Sequence, residues 1–125
     1  MKITELSQSE DKIHADCTIW AHNSFPELRL NWWHVPNGGN RNKIEARKMK
    51  TMGVTAGVWD LHCYYKGAFS IIEFKTLTGN YSQNQIEWGK CMKLNGATLY
   101  LCRSLEEFKP VYCKIFEIES HQTNW

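Results

Sequence analysis

One stretch of the chain, DLHCYYKGAFSIIEFK at residues 60–75, constrains the fold more than any other. Two runs of mostly apolar, aromatic and β-branched residues flank Lys66-Gly67. This pattern is typical of two β-strands joined by a two-residue hairpin turn. We therefore predict antiparallel strands over residues 58–65 and 68–76.

The register of this hairpin gathers charged residues on one face. With Lys66-Gly67 as the turn, counting outward places Asp60 directly opposite Glu73. Because side chains alternate along a strand, Lys75 lies on the same face as Glu73. The opposite face then carries the apolar residues Leu61, Cys63, Ile72 and Phe74.

Two facing carboxylates are unfavourable in a strand pair unless a cation lies between them. Oxygen ligands suit a hard divalent ion, and the sequence shows no Cys or His cluster that would favour a softer one. We therefore predict a Mg²⁺ or Mn²⁺ site at Asp60 and Glu73. The alternative is a structural ion pair between Lys75 and one of the carboxylates.

The remaining elements follow from capping patterns and periodicity. We predict a helix over 8–24 begun by a Ser7–Glu10 capping box, a short strand within 28–35, a helix over 43–52 ended by Gly53, a helix from Ser82 to 95–96, a strand over 97–103, a helix begun by a Ser104–Glu107 capping box, and a final extended segment over 111–119. This order predicts an α/β fold with a mixed sheet.

Composition limits the class of protein. A chain of 125 residues with 42% hydrophobic residues is expected to form one domain over 1–125. No apolar run approaches the roughly 18 residues of a membrane span, and the N-terminus lacks the pattern of a signal peptide, so a cytoplasmic protein without membrane contact is expected. The cysteines form no CxxC pair and are expected to be mostly buried thiols: Cys17, Cys63, Cys91, Cys102 and Cys113.

A net charge of +2 does not by itself indicate nucleic-acid binding, but the basic residues are clustered. The cluster, which includes the end of the NGGNRN loop, consists of Arg41, Lys43, Arg47, Lys48 and Lys50. It can contact a phosphate backbone, or it can be an ordinary solvated helix face. The adjacent Trp32 and Trp33 point to opposite strand faces, so one ring can pack in the core and the other can face a partner.

Several segments in order resemble the VRR-NUC branch of the PD-(D/E)XK nucleases, over about residues 9–108. These segments are HVPNGGNRN, ARKMKTMGVTAGVWDL, IIEFKT, GNYSQNQIEW and NGATLYLCRSLEEF. The resemblance implies a restriction-endonuclease-like core, a mixed central β-sheet flanked by helices. It also implies phosphodiester hydrolysis dependent on Mg²⁺ or Mn²⁺. The resemblance to stand-alone, phage-type members further implies a homodimer that cleaves four-way (Holliday) junctions. Such an enzyme would act in DNA recombination and repair in the host cytoplasm.

The resemblance also implies roles for individual residues. Asp60 and Glu73 would bind the metal, with the backbone carbonyl of Phe74 as a further ligand, and Lys75 would be the catalytic lysine. Such a metal would make a bound water more acidic and offset charge on the phosphate. Lys75 would orient or deprotonate that water.

Two further catalytic assignments are open. Glu10 matches an acidic residue on the family's first helix, where it could hold a second ion, but it is equally explained as part of a capping box. Gln85 matches a glutamine that follows the lysine strand, or it is an ordinary polar residue near a helix start. Trp59 stands where the family usually has proline, and His14 stands where relatives have glutamine. We assign His14 no catalytic part.

Three hypotheses of function follow. The first is a structure-selective DNA endonuclease, a phage-type junction resolvase. The second is a nuclease that nicks flaps or ordinary duplex. The third is a nucleic-acid-binding module that has kept the fold and lost the reaction.

Overall fold

The computed structural model describes residues 8–36 and 42–119. These residues form four α-helices: α1 (Glu10–Ser24), α2 (Lys43–Thr51), α3 (Gln83–Leu94) and α4 (Leu105–Ile115). They also form four strands: β1 (Trp32–His34), β2 (Leu61–Tyr65), β3 (Ala68–Phe74) and β4 (Thr98–Cys102). A short 3₁₀ helix, Pro26–Leu28, follows α1.

The strands form one mixed sheet in the order β1-β2-β3-β4. The pairs β1–β2 and β2–β3 are antiparallel, whereas β3–β4 is parallel. The predicted hairpin is present, with Tyr65 opposite Ala68. Lys66 and Gly67 have φ angles of 48° and 82°, the left-handed backbone that a tight two-residue hairpin turn requires. The predicted mixed sheet flanked by helices is therefore confirmed.

The hydrophobic core lies between one face of the sheet and helices α1 and α4. The apolar residues predicted for one face of the hairpin all belong to this core: Leu61, Cys63, Ile72 and Phe74. Helix α1 contributes Ile13, Cys17 and Ala21, and α4 contributes Phe108 and Tyr112. The spacing of these helical residues by four positions explains why each helix covers the sheet along one stripe.

Helix α3 covers the other face of the sheet. The indole of Trp88 stacks on the His62 ring with centroids 5.4 Å apart. Gly89 lies directly against Trp59, since a Cβ built on this glycine would lie 2.8 Å from the Trp59 ring. Charged residues on this face of β3 therefore point toward the beginning of α3 rather than into the core.

The two adjacent tryptophans lie in different environments, as predicted. Trp32 is buried and belongs to the core, whereas Trp33 is 44% exposed. The cysteines also agree with the prediction, because four are buried and Cys91 alone of the five is exposed; all five are free thiols.

The prediction of an extended segment over 111–119 is wrong, because α4 continues to Ile115 and a turn at Phe116 and Glu117 follows it, with no strand among the described residues beyond the helix. The β-branched and aromatic residues of VYCKIFEIE favoured an extended segment. In the structure Phe108, Tyr112 and Phe116 are buried in the core. Their spacing of four residues places them on one helical stripe, and this burial overrides the local preference.

The start of the first helix also differs from the prediction. Ser9 is the capping residue, and its side chain accepts a hydrogen bond from the Lys12 backbone N–H. Ser7, the predicted cap, lies outside the described residues. Glu10 is therefore the first helical residue and not the third position that a capping box with Ser7 would give it. Among the residues described, no helix is long and apolar enough to cross a membrane.

Candidate active site

The open end of the hairpin joins Asp60 and Glu73 by two reciprocal hydrogen bonds. The backbone N–H of Asp60 donates to Glu73 Oε1 at 3.1 Å. The backbone N–H of Phe74 donates to Asp60 Oδ2 at 2.9 Å. Each carboxylate is thus fixed by the strand that carries the other, as the predicted register required. Asp60 lies just before β2, and Glu73 and Phe74 end β3.

Glu73 lies in an environment that opposes its ionisation. Its side chain is only 2% exposed. Burial, and secondarily the nearby charge of Asp60, raise its pKa to about 7. Lys75 lies on the same face with its Nζ 3.5 Å from Glu73 Oε2, and its side chain is 10% exposed. The buried side chains of Glu73 and Lys75 and the partly buried carboxylate of Asp60 therefore lie together at the open end of the hairpin.

Gln85 orients Glu73 and caps α3 with the same side chain. Its Nε2 donates to Glu73 Oε2 at 2.7 Å. Its Oε1 accepts a hydrogen bond from the Ser82 backbone N–H at 2.9 Å, which completes a capping box with Ser82. The two interpretations of Gln85 are therefore compatible, because its amide group has a different atom for each contact.

Trp59 attaches the beginning of α3 to the strand that carries Asp60. Its indole is buried, and Nε1 donates to the Gln85 backbone carbonyl at 3.0 Å. The ring stacks on Tyr81 with centroids 4.9 Å apart and an angle of 13° between the planes. The residue that stands in place of a proline thus positions Gln85, a function that its sequence context did not predict.

Two histidines that sequence analysis left without a role lie beside Asp60. His14 of α1, His34 of β1 and Asp60 each offer one ligand atom, and these atoms lie within 4.8 Å of one another. The three residues come from separate elements and are 20 and 26 positions apart in the chain, so no local motif marks them. Here the expectation that no histidine cluster exists is overturned.

The two histidine rings contact each other, and His14 also packs on the core. His14 stacks on Phe74 with centroids 4.6 Å apart and meets the His34 ring edge to face at 4.4 Å. Burial and, to a smaller extent, His34 lower the pKa of His14 despite the opposing effect of Asp60. Both effects favour the neutral form of the His14 imidazole, the form that can bind a metal.

Glu10 is exposed at the first turn of α1. Its position one helical turn before His14 places the two residues on the same side of α1. Glu10 is not a member of the group formed by His14, His34 and Asp60. Its role in holding a metal stays a prediction.

Arg103 holds the segment that follows Lys75. Its guanidinium donates to the backbone carbonyls of Thr76 at 2.5 Å and Gly79 at 2.8 Å. Arg103 itself is held by Glu107, whose Oε1 accepts a hydrogen bond from the Arg103 backbone N–H. This contact also explains why Glu107 does not close the predicted capping box onto Ser104, although Ser104 caps α4.

The basic residues predicted to contact DNA lie on a surface helix. Lys43, Arg47, Lys48 and Lys50 are all exposed on α2, and none of the residues of this helix is buried. Asn42 caps α2 by accepting a hydrogen bond from the Glu45 backbone N–H. Arg41 and the preceding Asn37-Gly38-Gly39-Asn40 loop lie outside the described residues.

Comparison with known proteins supports the fold. No protein-family model matches the sequence, and no curated protein sequence matches it. Among solved structures, the chain is similar to a "VRR_NUC domain protein" with a TM-score of 0.74 and 21% sequence identity, over 89% of this chain and 90% of the other. The predicted resemblance is therefore confirmed in the fold: the chain has the architecture of a VRR-NUC domain.

Proposed function

We propose that the protein is a divalent-metal-dependent DNA endonuclease that hydrolyses phosphodiester bonds. The observation that carries this proposal is the convergence of Asp60, Glu73, Lys75 and Gln85 at the open end of the hairpin. The fold shared with a VRR-NUC domain protein supports the same chemistry. A purely structural network has no need of two adjacent carboxylates, one of them raised in pKa by its burial.

The donor set fits a Mg²⁺ or Mn²⁺ ion. Asp60 and Glu73 would hold the ion, with the Phe74 carbonyl as a third oxygen ligand and Glu10 as the candidate for a second ion. A cation there would offset the repulsion between the two carboxylates and favour the ionised form of Glu73. When bound, it would supply charge stabilisation to the phosphate and a more acidic water.

The protein side chains then have distinct parts. Lys75 orients or deprotonates the attacking water, because its Nζ lies beside Glu73 at the edge of the carboxylate pair. Gln85 fixes the orientation of Glu73 by donating to its Oε2, while Glu73 Oε1 accepts from the Asp60 backbone N–H. Trp59 positions Gln85 by holding the beginning of α3. Arg103 positions Lys75 by holding the segment that follows it.

We further propose branched DNA, in particular four-way junctions, as the substrate and a homodimer as the active form. Two sites related by a two-fold axis match the two equivalent strands of a junction. The exposed cations of α2 would contact the phosphate backbone next to each site.

The test is cleavage of a labelled four-way junction and a linear duplex of matched sequence in Mg²⁺, Mn²⁺ or EDTA. The parent protein is compared with Lys75→Ala and with the control Lys66→Ala, which removes an exposed lysine at the other end of the hairpin. We expect metal-dependent cutting of the junction that is lost in Lys75→Ala and retained in Lys66→Ala.

Other outcomes separate the alternatives. Cutting of the duplex alone would keep the nuclease chemistry and replace the resolvase hypothesis with that of a nuclease that nicks ordinary duplex. Junction binding without cutting in any metal would favour a nucleic-acid-binding module. Equal cutting by the parent and by Lys75→Ala would contradict the assignment of the active site.

A further inference from the structure

The geometry points to a second kind of metal centre at the edge of the site, formed by His14, His34 and Asp60. We propose that it binds a transition ion of the Co²⁺ or Zn²⁺ class through two imidazole nitrogens and a carboxylate oxygen. This proposal shares Asp60 with the nuclease hypothesis, but it does not require that the chain cleave DNA.

The hydrogen bond of His34 leaves its outer nitrogen ready for a metal. Its Nδ1 lies 2.7 Å from the backbone carbonyl oxygen of Asp60. A carbonyl oxygen can only accept, so this contact assigns the proton to Nδ1, and in the neutral ring Nε2 then carries the lone pair. Metal-binding histidines in proteins are commonly oriented in this way, by donation from the other ring nitrogen to a carbonyl.

His14 is held in place by its packing. Its ring is stacked on Phe74, the core residue whose backbone N–H also binds Asp60. The edge-to-face contact with His34 brings the two imidazoles together at 4.4 Å between centroids. Phe74 therefore fixes both His14 and Asp60 relative to each other, as a binding site requires.

The spacing of the donor atoms is close to that of a bound ion. They lie within 4.8 Å of one another. With metal–ligand bonds of 2.0–2.1 Å, two ligands of one ion are at most about 4.2 Å apart, so a small rotation of one ring would complete the site. His34 is exposed, so its ring can rotate while Asp60 keeps its hydrogen bond from the Phe74 backbone N–H.

The chemistry of the donors selects the class of ion. Imidazole nitrogen suits cobalt, nickel and zinc, whereas Mg²⁺ prefers oxygen ligands alone. Three protein ligands also leave a coordination position for water or a phosphate oxygen. The protein would therefore bind transition metals at this centre more tightly than an all-oxygen site would.

The experiment titrates the full-length, metal-free protein with Co²⁺ and with Mg²⁺ by calorimetry and records the visible absorption of bound Co²⁺. The variants are His14→Gln, His34→Gln and Asp60→Asn. The control is His22→Gln, on the same helix as His14 but stacked on Trp32 instead. His34 is exposed, so its variant keeps the test valid if His14→Gln fails to fold.

We expect each of the three variants to weaken Co²⁺ binding at least tenfold and to change the Co²⁺ spectrum, with the control unchanged. The histidine variants should leave Mg²⁺ binding within about twofold of the parent. Loss of Co²⁺ binding in Asp60→Asn alone would overturn the centre while leaving the nuclease hypothesis intact. A parent protein that binds neither metal would overturn both.

Discussion

Two lysine–glutamate ion pairs lie at opposite ends of the β2–β3 hairpin, and they differ in almost every respect but composition. At the turn, Lys66 Nζ lies 3.0 Å from Glu117 Oε2, with side chains 65% and 63% exposed. At the open end, Lys75 Nζ lies 3.5 Å from Glu73 Oε2, with side chains 10% and 2% exposed. The shorter pair is the one in water.

The difference shows that distance alone does not measure the importance of an ion pair. Water screens the exposed pair, so its contribution to stability is small. The buried pair has lost its hydration, so the stability of each charged form depends on the few groups that contact it. The buried pair also lies beside a second carboxylate, Asp60, which makes the open end of the hairpin the part suited to chemistry.

The largest expected effect is on cleavage, and it compares Glu73→Gln with Glu117→Gln. We expect Glu73→Gln to lower the cleavage rate by about 10²- to 10⁴-fold, because it removes a carboxylate from the proposed metal and water site. Glu117→Gln should cleave at the parent rate. The measurement is single-turnover cleavage of the four-way junction in Mg²⁺, with folding of both variants checked by circular dichroism. An equal loss of cleavage rate in both variants would show that the open end and the turn end of the hairpin do not differ in their importance for cleavage.

The second effect is a pH dependence of stability in EDTA. The raised pKa of Glu73, about 7 against 4.5, means that the folded protein keeps a proton that the unfolded chain has released. Stability of the metal-free protein therefore falls as the pH rises from about 4.5 to about 7, with a slope of up to about 1.4 kcal/mol per pH unit from this group. Urea unfolding at several pH values measures this change in the free energy of unfolding.

The matched variants sharpen that measurement. Glu73→Gln should flatten the decline, because its side chain does not titrate, whereas Glu117→Gln should retain it. Addition of Mg²⁺ to the parent should also flatten it, since a bound cation favours ionised Glu73. A decline that persists unchanged in Glu73→Gln would assign it to another group.

The third effect concerns the exposed cations of α2, which are proposed to contact DNA and not a single carboxylate as Lys66 does. Arg47→Ala with Lys48→Ala should weaken junction binding and lower the slope of log affinity against log salt by about two, one for each phosphate contact. The control is Lys90→Ala with Lys93→Ala, which removes two exposed cations from α3. Fluorescence anisotropy over a salt series gives the slope. An equal change in the control would indicate a general charge effect and no local path for DNA.

The smallest effect should come from the exposed pair itself. Lys66→Ala removes the contact with Glu117, whose exposed carboxylate is then hydrated instead at little cost. We expect no measurable shift in the thermal midpoint and no change in cleavage. A clear loss of stability would show that the turn end of the hairpin is more important than its exposure indicates.

The hairpin and its charged face could be predicted from sequence because the determinants are local. A two-residue turn sets the register, and alternation then sorts each side chain to one face. Asp60, Glu73 and Lys75 consequently met where counting placed them. The roles assigned to them in catalysis stay predictions until cleavage is measured.

The features that sequence analysis missed depend on contacts between distant segments. His14 and His34 approach Asp60 only because α1 packs on the sheet and β1 pairs with β2. Trp59 and Gln85 form their contact because α3 packs on the other face of the sheet. The helical state of residues 111–115 likewise depends on burial of Tyr112 in the core.

The sequence by itself determined the hairpin, its register and the pairing of Asp60 with Glu73, since these depend on neighbours a few residues apart. The tertiary structure decided the environment of those carboxylates. Burial, the approach of Gln85 and the two imidazoles beside Asp60 arise from the packing of α1 and α3 on opposite faces of one sheet. Electrostatic properties depend on everything within a few ångströms, and that neighbourhood exists only after the chain has folded.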